Sequence, residues 1–203
     1  MELFTHWHSW NEAEPGLRAR LRTAVVGDLG AAVRFAARWH GDQIRPTGAP
    51  YLEHLLEALE VLVAGAGVTS PDVLIAAVLH DVVEDTHCTL AEITAAFGSQ
   101  VALLVCWVTI PPAGSGQDRG AVKEPYLRRL AGAPPDALLV KLADRASNVQ
   151  TLRNLPPARQ RSYYHQTVTY IVPLAATVPW FAAWYAQWQA EFADLASPPG
   201  PAR

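Results

Sequence analysis

The densest chemistry in the chain is the run His80-Asp81-Val82-Val83-Glu84-Asp85, which places four ionisable groups at the end of an apolar stretch, 73–79. Burying such groups without partners is expensive, so they need a common purpose. On a continuous helix, adjacent positions project about 100° apart, and His80 and Asp81 can reach one ion while Glu84 and Asp85 follow one turn later, ~6 Å along the axis. That arrangement suits a divalent metal with carboxylates beside it. The competing reading, a helix C-terminus decorated with surface acids, is weakened because acids are unfavourable at that end of the helix dipole. A metal held by His80 and Asp81 needs further ligands, for which His54 and Asp144 are candidates that periodicity alone does not select. A set of two histidines and two aspartates with open positions suits Mn²⁺, with Fe²⁺, Ni²⁺ or Zn²⁺ also compatible by ligand type.

Positioning these groups falls to helices. Apolar residues recur at helical spacing almost throughout, and no β-branched run alternates over a strand's length, so the expected class is all-α. Segments 17–26 and 29–40 read as two helices broken near Gly27, and 42–50 as a loop carrying Arg45, Pro46, Gly48 and Pro50. Next come a helix over 51–64 and another from Ser70-Pro71-Asp72 through Asp85, apolar on all sides and therefore central. Thr89-Leu90-Ala91-Glu92 is a capping box, Gly98 ends that helix, and Ser99 starts one reaching about Val108. The stretch 110–120 is expected to be a flexible loop, with a lid over the substrate as its alternative. Helices are then expected at 124–130, from Pro135 to Arg153, at 158–172 and at 180–196, before a frayed tail at 197–203. On the Pro135–Arg153 helix, Leu138, Leu139, Leu142, Ala146 and Val149 form the apolar side, while Asp144, Asn148 and Thr151 make a separate polar stripe.

With 203 residues, half of them apolar and 17% charged, the composition excludes disorder and favours one domain over 1–203. Sixteen basic against nineteen acidic residues give a net charge of −3, so no global field draws in nucleic acid, and any polyanionic substrate must be held by local cations. Only two of the basic residues are lysines, Lys123 and Lys141. Two cysteines, Cys88 and Cys106, make no disulfide framework and are expected to be inert buried thiols. With no basic-apolar leader and no membrane-length apolar run, the expected setting is cytosolic, away from any membrane.

Five ordered blocks resemble the HD-type hydrolase domain of the RelA/SpoT alarmone enzymes: Arg34 to His54, His80 to Thr86, Phe97-Gly98 with Val108-Thr109, Lys141 to Leu152, and Thr167 to Ala175. The resemblance covers about 29–178. It implies one Mn²⁺ on His54, His80, Asp81 and Asp144, with Glu84 and Asp85 positioning or deprotonating the attacking water. It further implies that Arg45 packs on a guanine ring and that Thr47, Lys141, Arg145, Asn148 and Thr151 line the nucleotide. The implied activity is release of the 3′-diphosphate of (p)ppGpp as pyrophosphate, leaving GDP or GTP. Phosphoryl-type transfer of this kind needs charge neutralisation and positioning more than covalent help.

The chain departs from the family pattern in Pro46 and Thr47 for the usual Lys-Ser, Asp42 for Gly, Leu55 for Pro, and Ala146-Ser147 for Leu-His. These touch no metal position, but bear on purine choice and diphosphate affinity. Other 3′-phosphorylated nucleotides, (p)ppApp or NADPH, are the alternative substrates, and a non-catalytic nucleotide sensor is the alternative class. About 25 residues after the hydrolase-like region leave no room for a synthetase domain, so the expectation is a small alarmone hydrolase. His40 is expected to be a structural hydrogen-bonding residue, and His6, His8, His87 and His165 to lie at the surface. The aromatic face Trp180, Phe181, Trp184, Tyr185, Trp188 and Phe192 is expected to pack in the core, with a homo-oligomer interface as its alternative.

Overall fold

The computed structural model describes residues 1–46, 48–112, 114 and 118–196. The helical spacing of the sequence is realised as an all-α bundle. Among the described residues the sole extended pairing is an isolated bridge between Ile44 and Pro50. Thr47, the tail 197–203, and residues 113 and 115–117 of the expected loop lie outside the described residues.

Two elements differ from expectation at the N-terminus. Helix α1 spans Trp10–Arg18, with Pro15 inside it, although the sequence pattern starts the first helix at residue 17. It forms because Ala13 and Leu17, one turn apart, are buried, while Glu14 and Arg18 pair across its outer face. Helix α2, Thr23–His40, then runs unbroken through Gly27. That glycine faces solvent, where it costs about 1 kcal/mol of helix propensity. The buried row Val26, Leu29, Val33 and Ala36 outweighs the cost.

Helix α3, Tyr51–Glu60, ends in a π-turn, Val61–Gly65. A Cβ on Gly65 would lie 2.4 Å from Trp180 and 2.8 Å from Phe4, so the close approach of both termini requires glycine there. Helix α4, Pro71–Leu79, is buried from Val73 onward and packs against α2 and α3, as its all-round apolarity demands. It does not continue to Asp85. The chain turns at His80-Asp81, with Asp81 at φ −98° and ψ −7°, before a single helical turn, α5, Val82–Asp85. The His80 Nδ1 lies 2.8 Å from the Ala77 carbonyl, the acceptor that a continuing helix offers to the Asp81 N–H.

Helix α6, Leu90–Phe97, carries the expected reciprocal capping box between Thr89 and Glu92 and stops at Gly98, whose φ of +90° suits glycine. Helix α7 follows at Ser99–Val108, and α8 at Arg119–Arg129, longer than its sequence pattern suggested because it absorbs Gly120. Cys88 is buried, but Cys106 on α7 is exposed, contrary to expectation, because the inward face of α7 is taken by Val101, Leu104, Val105 and Val108.

Helix α9, Pro135–Gln150, threads the middle of the molecule against α3, α4 and α7. Leu139 is half-buried rather than core, whereas Lys141, Asp144 and Arg145 are buried. The helix stops three residues early, and 152–154 form a 3₁₀ turn. Helix α10, Pro157–Gln166, passes through a π-turn into α11, Val172–Ala175. The aromatic helix α12, Pro179–Glu191, lies behind α9: Tyr185 donates to the Leu142 carbonyl at 2.8 Å and Trp188 to that of Val149 at 3.0 Å. Phe181, Trp184, Tyr185, Trp188 and Phe192 are therefore core, with Trp180 half-buried, and the row braces the helix that carries Asp144. Among the described residues no helix is long and apolar enough to cross a membrane.

Candidate metal centre

Two helix ends and one helix interior meet at a buried point. His54 comes from the first turn of α3, His80 and Asp81 from the turn after α4, and Asp144 from the middle of α9. Ligating atoms of His54, His80 and Asp81 lie within 4.8 Å of one another. The two Nε2 atoms are 3.1 Å apart. Asp81 Oδ2 sits 3.1 Å from that of His80 and 3.4 Å from that of His54, and Asp144 Oδ1 reaches the same atoms at 3.5 and 3.4 Å.

The hydrogen bonds behind the rings fix what faces the centre. His80 donates through Nδ1 to the Ala77 carbonyl, and His54 Nδ1 contacts the Ser147 hydroxyl at 2.8 Å. Both Nε2 atoms are thereby left to present lone pairs, the arrangement of metal-binding histidines oriented by outer partners. With nitrogen–metal bonds of about 2.1 Å, two ligands at roughly a right angle lie ~3.0 Å apart, in keeping with the observed spacing.

Electrostatics favour positive charge at the same point. Burial works against ionised Asp81, yet the adjacent His80 and His54 hold its carboxyl well below the usual range. Burial likewise opposes Asp144, and the Lys141 ammonium with the two histidines overcomes it. For His54 burial is outweighed by hydrogen bonds with Asp144 and Asp81, and for His80 by the charge of Asp81 and a hydrogen bond with Asp144, so both imidazoles are shifted up. A divalent cation satisfies that demand with both rings neutral. The donor set of two nitrogens and two carboxylates thus fits a divalent metal ion.

The surrounding residues hold this set in place. Asp144 accepts from Lys141 at 2.7 Å through Oδ2 and from Asn148 at 2.6 Å through Oδ1, so two groups expected on the nucleotide also brace a metal position. The Tyr51 hydroxyl lies 2.5 Å from Asp81 Oδ2 and 2.8 Å from Asp85 Oδ2. Burial and those carboxylates push its pKa far up, keeping it a donor. Glu84 accepts from the Ile110 N–H at 2.8 Å. The break at His80-Asp81 thus sends the two acids to different tasks, which a continuous helix would have placed on the faces of His80 and Asp81. His40 is buried, bonded to Gln43 at 2.6 Å and stacked on Tyr51, in keeping with a structural role.

Two cavities adjoin the centre. One is lined by Arg45, Pro46, His54, Asn148 and Thr151, together with Leu155, Arg159 and Tyr163. The other is strongly polar, with Asp81, Glu84, Asp85 and Asp144 facing Lys123, Lys141 and Arg145. Tyr51, Asn148 and Tyr163 border both. Every described residue singled out in the sequence lies in this region, and Thr47 is outside the described residues. Arg145 is buried with Nε and Nη1 lacking a partner among the described residues, its guanidinium 5.3 Å from the Tyr163 ring. Sequence reasoning missed Tyr51, Lys123, Arg159 and Tyr163. Lys123 could have been flagged as one of only two lysines, whereas Arg159 and Tyr163 carry no signal beyond sharing a helix face at i and i+4.

Comparisons with known proteins agree with this architecture. A family model described as HD domain matches residues 32–179. The Homo sapiens guanosine-3′,5′-bis(diphosphate) 3′-pyrophosphohydrolase MESH1 is 41% identical over 128 residues, covering 62% of this chain and 70% of that protein. A Streptomyces coelicolor GTP pyrophosphokinase is 34% identical over 160 residues, covering 77% of this chain and 18% of that protein. The chain thus spans about a fifth of the length of such long relatives. A solved structure described as a metazoan ortholog of SpoT that hydrolyzes ppGpp superposes with a TM-score of 0.72 and 27% identity, over 81% of this chain and 94% of that one.

Proposed function

Because the chain belongs to the HD domain family, we propose that it is a cytoplasmic, single-domain (p)ppGpp 3′-pyrophosphohydrolase that uses Mn²⁺, held by His54, His80, Asp81 and Asp144. The observation that carries the reading is the junction of the two cavities at the metal cluster, one built for a nucleoside and the other for a polyanion. The names of the MESH1 relative and the metazoan SpoT ortholog support the substrate.

A divalent ion at this point supplies Lewis acidity, withdrawing charge from the phosphoryl oxygens and acidifying water. Arg45, Thr151 and Tyr163 receive the nucleoside, while Arg145, with buried donors unpartnered among the described residues, and Lys123 receive the diphosphate. Thr47 would belong to the same nucleotide wall. Glu84 takes the proton of the attacking water. The new bond forms between that water oxygen and the α phosphorus of the 3′-diphosphate, the one attached to the ribose, the 3′-oxygen–phosphorus bond breaks, and the 3′-oxygen takes a proton from solvent to leave as a hydroxyl. The products are pyrophosphate and GDP or GTP. Asp85, tied to Asp81 through Tyr51, keeps that metal position oriented.

Purified protein with ppGpp and Mn²⁺ is expected to yield GDP and pyrophosphate by anion exchange, with no product under chelation. Intact ppGpp in metal-replete protein would overturn the reading. Pro46 in the nucleoside cavity, where the resembled family usually has a lysine, motivates running ppApp and NADPH beside ppGpp. Faster turnover of an adenine nucleotide would reassign the substrate without moving the chemistry.

Lys123 supplies a pH test. Burial, with Arg145 and Lys141 nearby, pushes its pKa down to about 8. Its charge is present below that value and lost above it. The kcat/KM for ppGpp is therefore expected to fall on the alkaline side with a midpoint near 8, and Lys123→Met to remove that limb while lowering the plateau roughly tenfold. A wild-type profile level from pH 7 to 9 would take Lys123 out of the diphosphate site.

A further inference from the structure

Glu57 is a buried carboxylate that the chemistry above leaves unused. It lies one turn after His54 on α3 and is 8% exposed. Its oxygens are engaged from opposite sides. Oε1 accepts from Arg45 Nη1 at 2.9 Å, and Oε2 accepts from the Ser147 hydroxyl at 2.5 Å. Ser147, fully buried on α9, has one proton to give, and it goes to Glu57. At its other contact, 2.8 Å from His54 Nδ1, the serine oxygen can therefore only accept. The proton of that bond belongs to His54 Nδ1, and Nε2 of the same ring is left to face His80, Asp81 and Asp144 as a bare lone pair.

We infer that Glu57 and Ser147 form a positioning relay in which one carboxylate sets both the guanidinium of Arg45 in the nucleoside cavity and the tautomer of the metal ligand His54. The inference rests on the functional reading above and deepens it. Packing alone does not call for this chemistry, since an apolar pair at 57 and 147 would fill the space between α3 and α9 without a charge to bury. The carboxylate is matched to its neighbours: an anion for Arg45, and an acceptor strong enough to claim the only serine proton. A chain of four groups, Arg45, Glu57, Ser147 and His54, therefore runs from the nucleoside cavity to the metal point, joining α3, α9 and the loop before α3. Ser147 is one of the departures from the usual family sequence, so the relay gives that substitution a role.

The relay separates two readouts. In the full-length protein, Mn²⁺ affinity is measured without nucleotide by competition with a fluorescent chelator, and KM for ppGpp at saturating Mn²⁺. Ser147→Ala removes the acceptor behind His54 but leaves the Arg45–Glu57 pair. It is expected to weaken Mn²⁺ binding about 10–100-fold and to leave KM within about twofold. Ser147→Thr, which keeps the hydroxyl, is expected to recover most of the affinity. Glu57→Gln disturbs both arms, weakening Mn²⁺ and raising KM about tenfold through the loss of a charge-assisted bond. Thermal unfolding of each variant without metal checks that the fold persists. Ser147→Ala with wild-type Mn²⁺ affinity would overturn the link to His54, and Glu57→Gln with wild-type KM would overturn the hold on Arg45. A wild type that binds Mn²⁺ yet leaves ppGpp intact would strike the functional reading instead, and the metal titrations would still decide the relay.

Discussion

His80→Ala is expected to lose stoichiometric Mn²⁺ binding and to reduce ppGpp hydrolysis by roughly 10³-fold or more. The size follows from what the metal supplies: Lewis-acid stabilisation of several kcal/mol in the transition state corresponds to about three decades in rate at 1.36 kcal/mol each. His80 is buried, and its ring is fixed by Ala77 behind and contacts His54, Asp81 and Asp144 in front, so no neighbour can swing in to replace it. Removing the ring also leaves two buried carboxylates with less positive charge around them. The check is direct. Saturating Mn²⁺ raises the wild-type unfolding temperature by linkage, about 2.7 kcal/mol of stabilisation at a hundred times Kd. The variant is expected to show no such rise, and His80→Gln, closer in volume, serves if the alanine variant unfolds. Equal metal-induced stabilisation and equal turnover in the variants would remove His80 from the ligand set.

Much of the scaffold was legible because its cause is local. The all-round apolarity of 73–79 could belong only to a central helix, and the Thr89–Glu92 box with Gly98 marks both ends of α6 within nine residues of sequence. The polar stripe of Asp144, Asn148 and Thr151 was legible for a related reason: polar groups repeating at helical spacing beside an apolar face need somewhere to point, and they run from the polar cavity across to the neighbouring one, with Asn148 bordering both. What escaped is set by distant partners. His54 and Ser147 are 93 residues apart, and nothing in the spacing around either foretells their bond. The turn at His80-Asp81 was hidden by helical periodicity that continues through Asp85, although the ring of His80 takes an acceptor from the helix itself. Choosing His54 and Asp144 among the ionisable residues required the family resemblance, because periodicity ranks faces and not partners. Gly27 misled in the opposite direction: a residue-level helix breaker lost to a buried face only the assembled bundle makes available.

That same turn separates the roles of Glu84 and Asp85, and it makes Glu84→Gln the sharpest test of the chemistry. Asp85 spends Oδ2 on the Tyr51 hydroxyl it shares with Asp81, whereas Glu84 lines the polar cavity beside Lys141 and Arg145 and is steadied by the Ile110 N–H. Burial and the charges of Asp81 and Asp85 raise the Glu84 pKa above the ordinary glutamate value, against the pull of Ile110 and Lys141. A stronger base results. Glutamine keeps the size and the acceptor for Ile110 but cannot take a proton, so kcat is expected to fall about 10²–10⁴-fold while Mn²⁺ affinity and KM stay near wild type. The sign of the pH effect follows. Wild-type activity needs the ionised acid and is lost as pH falls through its raised pKa; the glutamine variant should lose that acid limb along with the rate. Asp85→Asn is the contrast: by loosening the Tyr51–Asp81 pairing it should weaken metal binding before it slows the metal-saturated step. If Glu84→Gln instead turned over like wild type and Asp85→Asn lost the acid limb, the proton would go to Asp85, and the break in the helix would orient the other carboxylate.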